Sequence, residues 1–201
     1  DVSKLETPVS SYLYDENGTK LAELGSAKRI ETTVSAIPVE FMDSLLSTED
    51  ARFYYHTGYD SFRTVTAAIN TVMCGGFGSE GGSTITQQLI KLSFLDPNET
   101  SLERKIKEVI LGSQLEETYT KEEILTMYVN KVYMGDGVYG LQTAAHHYYG
   151  KKLDELSVDQ LAVLAGIPQA PSLYNPFDNP EGTQARRDIV LERMLTLGGI
   201  T

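Results

Sequence analysis

The sequence is organised around one stretch, which runs Ser47-Thr48-Glu49-Asp50-Ala51-Arg52-Phe53-Tyr54-Tyr55-His56-Thr57-Gly58. An apolar helical segment precedes it, predicted to begin at Pro38 and to bury Phe41, Leu45 and Leu46. Glu49 therefore lies at or near the C-terminal end of a helix, beside aromatic rings and a chain-reversing glycine. This setting indicates a base in a partly dry cleft. The alternative that the local pattern leaves open is a solvated helix end.

Composition and charge restrict the class of protein. The 201 residues can bury the core of one domain, or of one domain with two lobes, and 41% hydrophobic with 22% charged residues is a globular composition. The net charge of −11 argues against general nucleic-acid binding and against a polybasic lipid-docking face. The single cysteine, Cys74, excludes an intrachain disulfide and a cysteine zinc site. An anionic ligand therefore needs a local basic cluster.

Helical patterns dominate beyond a short N-terminal hairpin. The hairpin is predicted as strands Ser11–Tyr14 and Lys20–Leu24, joined around Asn17-Gly18. Four capping boxes predict helix starts, at Thr84/Gln87, Thr100/Glu103, Thr120/Glu123 and Ser157/Gln160. No glycine-rich strand-to-helix fingerprint supports a nucleotide-binding sheet.

Other segments carry more local predictions. Asp60 is expected to cap a helix through Met73, followed by the glycine-rich segment 74–82 with Phe77 at its tip. This segment is interpreted as a gating or membrane-touching loop, with a plain linker as the alternative. The sequence further predicts a helix stop at Gly135-Asp136-Gly137, an extended loop at Pro168–Pro171, and a last amphipathic helix carrying Ile189, Val190, Met194 and Leu195.

Two further clusters suit an anionic or sugar ligand. Arg104, Lys105 and Glu108 share one helix face, which in an acidic chain indicates a phosphate site; the alternative is an exposed ion pair. The segment from Ser83 to Lys91 places hydroxyls and amides at a helix N-terminus, a pattern that suits sugar hydroxyls or pyrophosphate oxygens. His56, His146 and His147 lack metal-ligand spacing, so we expect no zinc site.

These clusters carry a resemblance to a known family. Three motifs occur in order: Glu49-Asp50-x-Arg52-Phe53-x-x-His56-x-Gly58, Gly82-Ser83-Thr84-Ile85-Thr86-Gln87-Gln88-x-x-Lys91 and Arg104-Lys105-x-x-Glu108. Two more stretches agree, Ile124-Leu125-x-x-Tyr128-x-Asn130 and Leu164 through Pro176. Together they resemble the peptidoglycan glycosyltransferase (transglycosylase) domain of class A penicillin-binding proteins and monofunctional transglycosylases, the family 51 glycosyltransferases. The match covers about residues 36 to 197.

The resemblance implies a fold and an organisation of the chain. The expected fold is mainly α, with a two-lobed lysozyme-like head, a small membrane-apposed jaw near 74–82 and a short N-terminal β-hairpin. Residues 1–35 are expected to form a hairpin and linker after a membrane anchor absent from this sequence, and residues 36–201 the glycosyltransferase domain. The expected location is the extracytoplasmic face of the bacterial cell membrane.

The resemblance also implies a reaction and its residues. The substrate would be lipid II, polymerised into β-1,4 glycan strands by inverting transfer with release of undecaprenyl pyrophosphate, and moenomycin-type inhibitors would bind. Glu49 would be the general base, and Glu108 would orient the cations or help to hold a divalent cation (Mg or Mn) on the pyrophosphate, with no organic cofactor. The expected substrate-binding residues are Asp50, Arg52, Phe53, His56, Ser83, Thr84, Gln87, Gln88, Lys91, Arg104, Lys105 and Asn130. The alternatives are a lysozyme-like or lytic glycan-cleaving enzyme and a non-catalytic lipid II-binding module.

Overall fold

The chain is mainly helical. The computed structural model describes residues 11–17, 20–24, 30–62, 82–96, 99 and 101–200. Strands β1 (Ser11–Tyr14) and β2 (Lys20–Leu24) pair antiparallel, with a register shift between Leu13 and Tyr14, so the predicted hairpin is present. Among the described residues there are seven α-helices: α1 (Val39–Glu49), α2 (Ile85–Phe94), α3 (Leu102–Thr118), α4 (Lys121–Lys131), α5 (Leu141–Tyr149), α6 (Val158–Gly166) and α7 (Pro180–Thr196).

Side-chain caps fix where the helices begin. At α2, Thr84 Oγ1 accepts a hydrogen bond from Gln87 N (3.2 Å), and Gln87 Oε1 accepts one from Thr84 N (2.9 Å). The same reciprocal arrangement opens α4 at Thr120 and α6 at Ser157. These predicted capping boxes are confirmed. At α3 the prediction was wrong by one residue, because Ser101, not Thr100, caps the helix through a hydrogen bond from Arg104 N (3.1 Å).

Three local predictions differ from the structure. Helix α4 ends at Lys131, before Gly135, because the chain turns back on itself and Tyr133 forms a β-bridge with Tyr139. The segment after α6 is not extended: Ile167–Gln169 forms a 3-10 helix. The buried apolar face of α7 is narrower than the sequence predicts, since Val190 and Met194 are buried whereas Ile189 and Leu195 are exposed.

Two sets of helices pack around the core. Helix α1 packs against α6 and α7, and α2 packs against α3 and α4. Small residues on α5 and α6, among them Ala144, Ala145, Ala162 and Ala165, are fully buried and allow close packing. The two sets meet where the C-terminal end of α1 approaches the N-terminal end of α2, because Asp50 Oδ2 accepts a hydrogen bond from Ile85 N at 2.9 Å.

A close backbone contact holds the segment after α1 on α3. Gly58 has φ +80°, and a Cβ atom there would lie 2.5 Å from the carbonyl carbon of Gly112. The Gly58 carbonyl also accepts a hydrogen bond from Thr84 Oγ1 at 2.8 Å. Glycine is therefore required at this position, for its conformation and for the contact.

Several predictions fall outside the described residues. They are the helix from Asp60 to Met73 beyond residue 62, and the glycine-rich segment 74–82 except Gly82. In the part of the chain that the structure describes, no helix is both long and apolar enough to cross a bilayer.

Candidate active site

Glu49 is the last residue of α1 and is largely buried, with 8% of its surface exposed. Its Oε2 accepts a hydrogen bond from Gln88 Nε2 at 3.0 Å. Gln88 Oε1 in turn accepts a hydrogen bond from the Tyr128 hydroxyl, also at 3.0 Å. A carboxylate held by α2 and α4 in this way can accept a proton from a hydroxyl bound next to it.

Tyr128 is fully buried and serves as the donor at the far end of this chain of hydrogen bonds. Burial, followed by the charges of Glu49 and Asp50, raises the pKa of Tyr128 well above its ordinary value. Its hydroxyl therefore keeps its proton at any working pH. A permanent donor on Gln88 Oε1 fixes the amide so that its NH₂ group points toward Glu49.

Asp50 binds the first backbone N–H of α2 and the side chain of His56. Asp50 is fully buried, and besides the Ile85 N–H its carboxylate contacts His56 Nε2 at 3.0 and 3.1 Å. A carboxylate on the first N–H of α2 satisfies an orphan donor and favours the positive end of the helix dipole. These contacts tie α1 to α2 and give both residues a positioning use; substrate contact by either stays a prediction.

Phe53 and Arg52 have different surroundings. Phe53 is buried in the core, and Lys121 Nζ lies 4.3 Å from its ring centroid. Lys121 also pairs with Glu116 at 2.7 Å. Arg52 is about half exposed, with its Nε 3.5 Å from Asp60 Oδ2. Of these two side chains, Arg52 is therefore accessible to a ligand, whereas Phe53 is not.

The predicted basic cluster forms on α3. Glu108 is buried, with Lys105 Nζ 2.7 Å from its Oε2 and Arg104 Nε 3.2 Å from its Oε1. Lys105 Nζ also donates a hydrogen bond to Ser83 Oγ at 2.6 Å. The shared helix face is thus more than an exposed ion pair, because the carboxylate that orders the cations is itself withdrawn from water.

The N-terminal end of α2 joins the two clusters. Ser83 precedes the helix and contacts Lys105, whereas Gln88, just over one turn into α2, contacts Glu49. Thr84 and Gln87 between them are buried and are used by the capping box. Lys91 lies in the last turn of the same helix and is partly exposed. The motif read from Ser83 to Lys91 therefore forms one structural unit between the base and the cations.

Asn130 has a structural role that the sequence did not reveal. Its Nδ2 donates to Thr32 O (2.7 Å) and Thr126 O (2.9 Å), and its Oδ1 accepts from Thr32 N (2.9 Å). The amide thus fastens the segment before α1 onto α4. These bonds do not bring Asn130 to Glu49 or Glu108, and its predicted contact with substrate is not supported by them.

The contacts of Glu108 do not fit a metal site. Both of its oxygens face cations, and the described residues contain no group of three or more His, Cys, Asp or Glu side chains arranged to hold a metal ion. Divalent Mg and Mn prefer several oxygen ligands. The arrangement suits a carboxylate that orders two cations better than one that binds a metal.

Arg186 is the site residue that sequence reasoning missed. It lies on α7, is buried, and places Nη2 3.7 Å from Glu49 Oε1. In the sequence it stands 137 positions after Glu49, in a helix that reads as an ordinary amphipathic segment, so no local signal identifies it.

Comparison with known proteins gives the family. A family model described as Transglycosylase matches residues 17–195. The chain is 47% identical over 201 residues to penicillin-binding protein 1A of Streptococcus oralis, covering 99% of this chain and 31% of that protein. It is 46% identical over 202 residues to penicillin-binding protein 1A/1B of Bacillus subtilis strain 168, covering 100% of this chain and 22% of that protein.

A solved structure agrees in fold. The 2.6 Å crystal structure of penicillin-binding protein 1A from Haemophilus influenzae matches with a TM-score of 0.54 and 24% identity, covering 98% of this chain and 19% of that one. The chain thus spans a third or less of the length of these relatives. The mainly α fold, the resemblance and the enzyme class predicted from the motifs are confirmed: the chain belongs to the transglycosylase family, the peptidoglycan glycosyltransferases.

Proposed function

We propose that this chain polymerises lipid II into β-1,4 glycan strands by inverting transfer, with release of undecaprenyl pyrophosphate. The observation that carries the proposal is the pair of clusters joined by the N-terminal end of α2, with Glu49 on Gln88 and Lys105 on Ser83. A buried carboxylate and a separate set of ordered cations are what a sugar transfer from a pyrophosphate donor requires.

Glu49 acts as the general base in this mechanism. Its carboxylate takes the proton from the 4-hydroxyl of the acceptor's N-acetylglucosamine, and that oxygen attacks the anomeric carbon of the growing chain's N-acetylmuramic acid. The bond to the pyrophosphate breaks as the new glycosidic bond forms, which inverts the anomeric configuration. The hydrogen bond from Gln88 holds one carboxylate oxygen of Glu49, so the side chain has a fixed orientation before the acceptor arrives.

Arg104 and Lys105 stabilise the leaving group, with Lys91 as a further cation. Pyrophosphate leaves as an anion and needs no general acid, so the requirement is positive charge where its negative charge develops. Glu108 is bound on both oxygens by these cations and orders them; it is not a proton donor. This also explains how a chain with net charge −11 can hold an anionic lipid.

The basic cluster separates synthesis from cleavage. A lysozyme-like or lytic enzyme protonates a sugar leaving group and depends on a protonated carboxylic acid rather than on cations. In this chain the second carboxylate, Glu108, is paired with Lys105 at 2.7 Å and with Arg104 at 3.2 Å, and a carboxylate that orders two cations suits synthesis. A lipid II-binding module without activity would explain the cations but would give Glu49 no use.

The setting of the reaction follows from the substrate. Lipid II and its product carry a polyprenyl group, so we place the protein at the extracytoplasmic face of the cell membrane. We further propose that it has a two-lobed head and a small jaw that lies against the membrane. The same pyrophosphate site would accept the phosphoglycolipid moenomycin.

Glu49→Gln tests the assigned role of the base. It preserves size and hydrogen bonding but removes the basic carboxylate, so we expect polymer formation to fall about 100-fold or more while lipid II still binds. The assay measures glycan polymer and lipid II binding on the same preparation, with Glu103→Gln on the exposed face of α3 as the matched control. Polymerisation that survives in Glu49→Gln would contradict the base role, and loss of binding would show that Glu49 holds substrate instead.

A further inference from the structure

Arg186 is a buried arginine whose guanidinium is fixed on three sides. Its Nε donates to the carbonyl of Gly166 at the end of α6 (3.4 Å), and its Cζ lies 5.7 Å from the Tyr174 ring centroid. A Cβ atom on Gly166 would lie 2.8 Å from Arg186 Cγ, so this helix end leaves room only for the arginine stem. With Nε on the backbone of α6, Nη2 reaches to 3.7 Å from Glu49 Oε1.

Burying a guanidinium requires a compensating charge. Burial lowers the pKa of Arg186, and the charge of Glu49 counters that effect. The next residue on α7, Arg187, is not buried in this way. Its side chain is 29% exposed and pairs at 2.7 Å with Asp188, whose side chain is 57% exposed. The arginine is therefore directed inward to the carboxylate.

Other groups also face Glu49. Arg193 on α7 donates to Thr48 O at 3.3 Å and so brings a second cation to the end of α1. On the other described elements, Gln88 faces the carboxylate as a neutral amide, Tyr128 keeps its proton, and Asp50 is paired with His56. Arg186 forms an ion pair with the carboxylate itself.

We propose that Arg186 is a positioning residue for the reaction: it holds the Glu49 carboxylate in one orientation. Gln88 fixes Oε2 and Arg186 faces Oε1, so the two contacts together set the plane of the carboxylate. The acceptor hydroxyl then meets a base that is aligned before binding. This inference rests on the proposed function, because it assigns Arg186 a role only if Glu49 is the base.

The separate measurement of kcat and KM for polymerisation tests the inference. Arg186→Met removes the group that faces Glu49 Oε1. We expect kcat to fall about tenfold or more, with little change in KM for lipid II, because the carboxylate loses its alignment. Arg186→Lys retains a cation that can face the carboxylate and should recover part of the lost kcat.

Arg187→Met is the matched control, because it removes the neighbouring, partly exposed cation on the same helix, and its kcat and KM should equal those of the wild type. Arg186→Gln is a second neutral variant and decides the question if Arg186→Met fails to fold. An unchanged kcat in a folded neutral variant would overturn the inference, as would unfolding of both neutral variants while Arg186→Lys folds. Wild-type protein that makes no polymer at all would instead contradict the proposed function.

Discussion

Gly58→Ala is expected to lower the free energy of unfolding by about 2–5 kcal/mol, because it combines backbone strain with a steric clash. The native φ of +80° is a left-handed conformation, which costs an L-residue about 1–2 kcal/mol. The new Cβ would also lie 2.5 Å from Gly112 C and 2.6 Å from both Gly112 O and Ser113 N. These are backbone atoms of α3 and cannot rotate away, so overpacking adds about 1–3 kcal/mol.

Gly137→Ala provides the matched control. Its φ of +70° is also left-handed, but a Cβ atom there would have no heavy atom within 4 Å. We therefore expect only the strain, about 1–2 kcal/mol. Urea unfolding followed by circular dichroism measures both variants, with a fall in the midpoint at constant slope as the expected form of the change. Equal losses in the two variants would refute the close contact between Gly58 and α3.

Gly58→Ala should also alter the geometry of the active site. The Gly58 carbonyl accepts the hydrogen bond from Thr84, the residue that caps α2, so moving Gly58 displaces the start of that helix. We expect Gly58→Ala to lose polymerisation at temperatures where it is still folded, and Gly137→Ala to retain it.

Two further predictions concern the groups that hold the site. Tyr128→Phe removes the donor on Gln88 Oε1 and leaves that buried oxygen without it; we expect a loss of about 1–3 kcal/mol in unfolding free energy, measured by urea titration, and a lower kcat. No change in either quantity would show that the hydrogen bond does not position the amide. Lys105→Ala should weaken the binding of moenomycin in fluorescence polarisation, whereas Lys107→Ala, which breaks only the exposed pair with Glu103, should not. Equal affinities for the two variants would place the pyrophosphate site elsewhere.

Local signals predicted much of the fold. The capping boxes at Thr84, Thr120 and Ser157 gave three helix starts, since a reciprocal pair of hydrogen bonds depends only on residues three apart. The apolar spacing up to Glu49 likewise placed that residue at the end of α1. Where two neighbouring residues could cap, as at Thr100 and Ser101, the sequence alone did not distinguish them.

Long-range contacts decided what the sequence could not show. Helix α4 ends at Lys131 because the chain folds back and Tyr133 pairs with Tyr139. No helix-breaking residue at Lys131 or Val132 indicates this end in the sequence. Asn130 matched a motif but is used to fasten Thr32, a contact 98 positions away in sequence. Arg186 reaches Glu49 only because α7 packs against α1.

Incubation of the wild-type protein with labelled lipid II, with and without moenomycin, tests the central claim most directly. The products are separated on a gel that resolves glycan length. We expect a ladder of glycan strands that moenomycin abolishes. Preformed strands that become shorter, with no ladder from lipid II, would contradict it and establish a glycan-cleaving enzyme in its place.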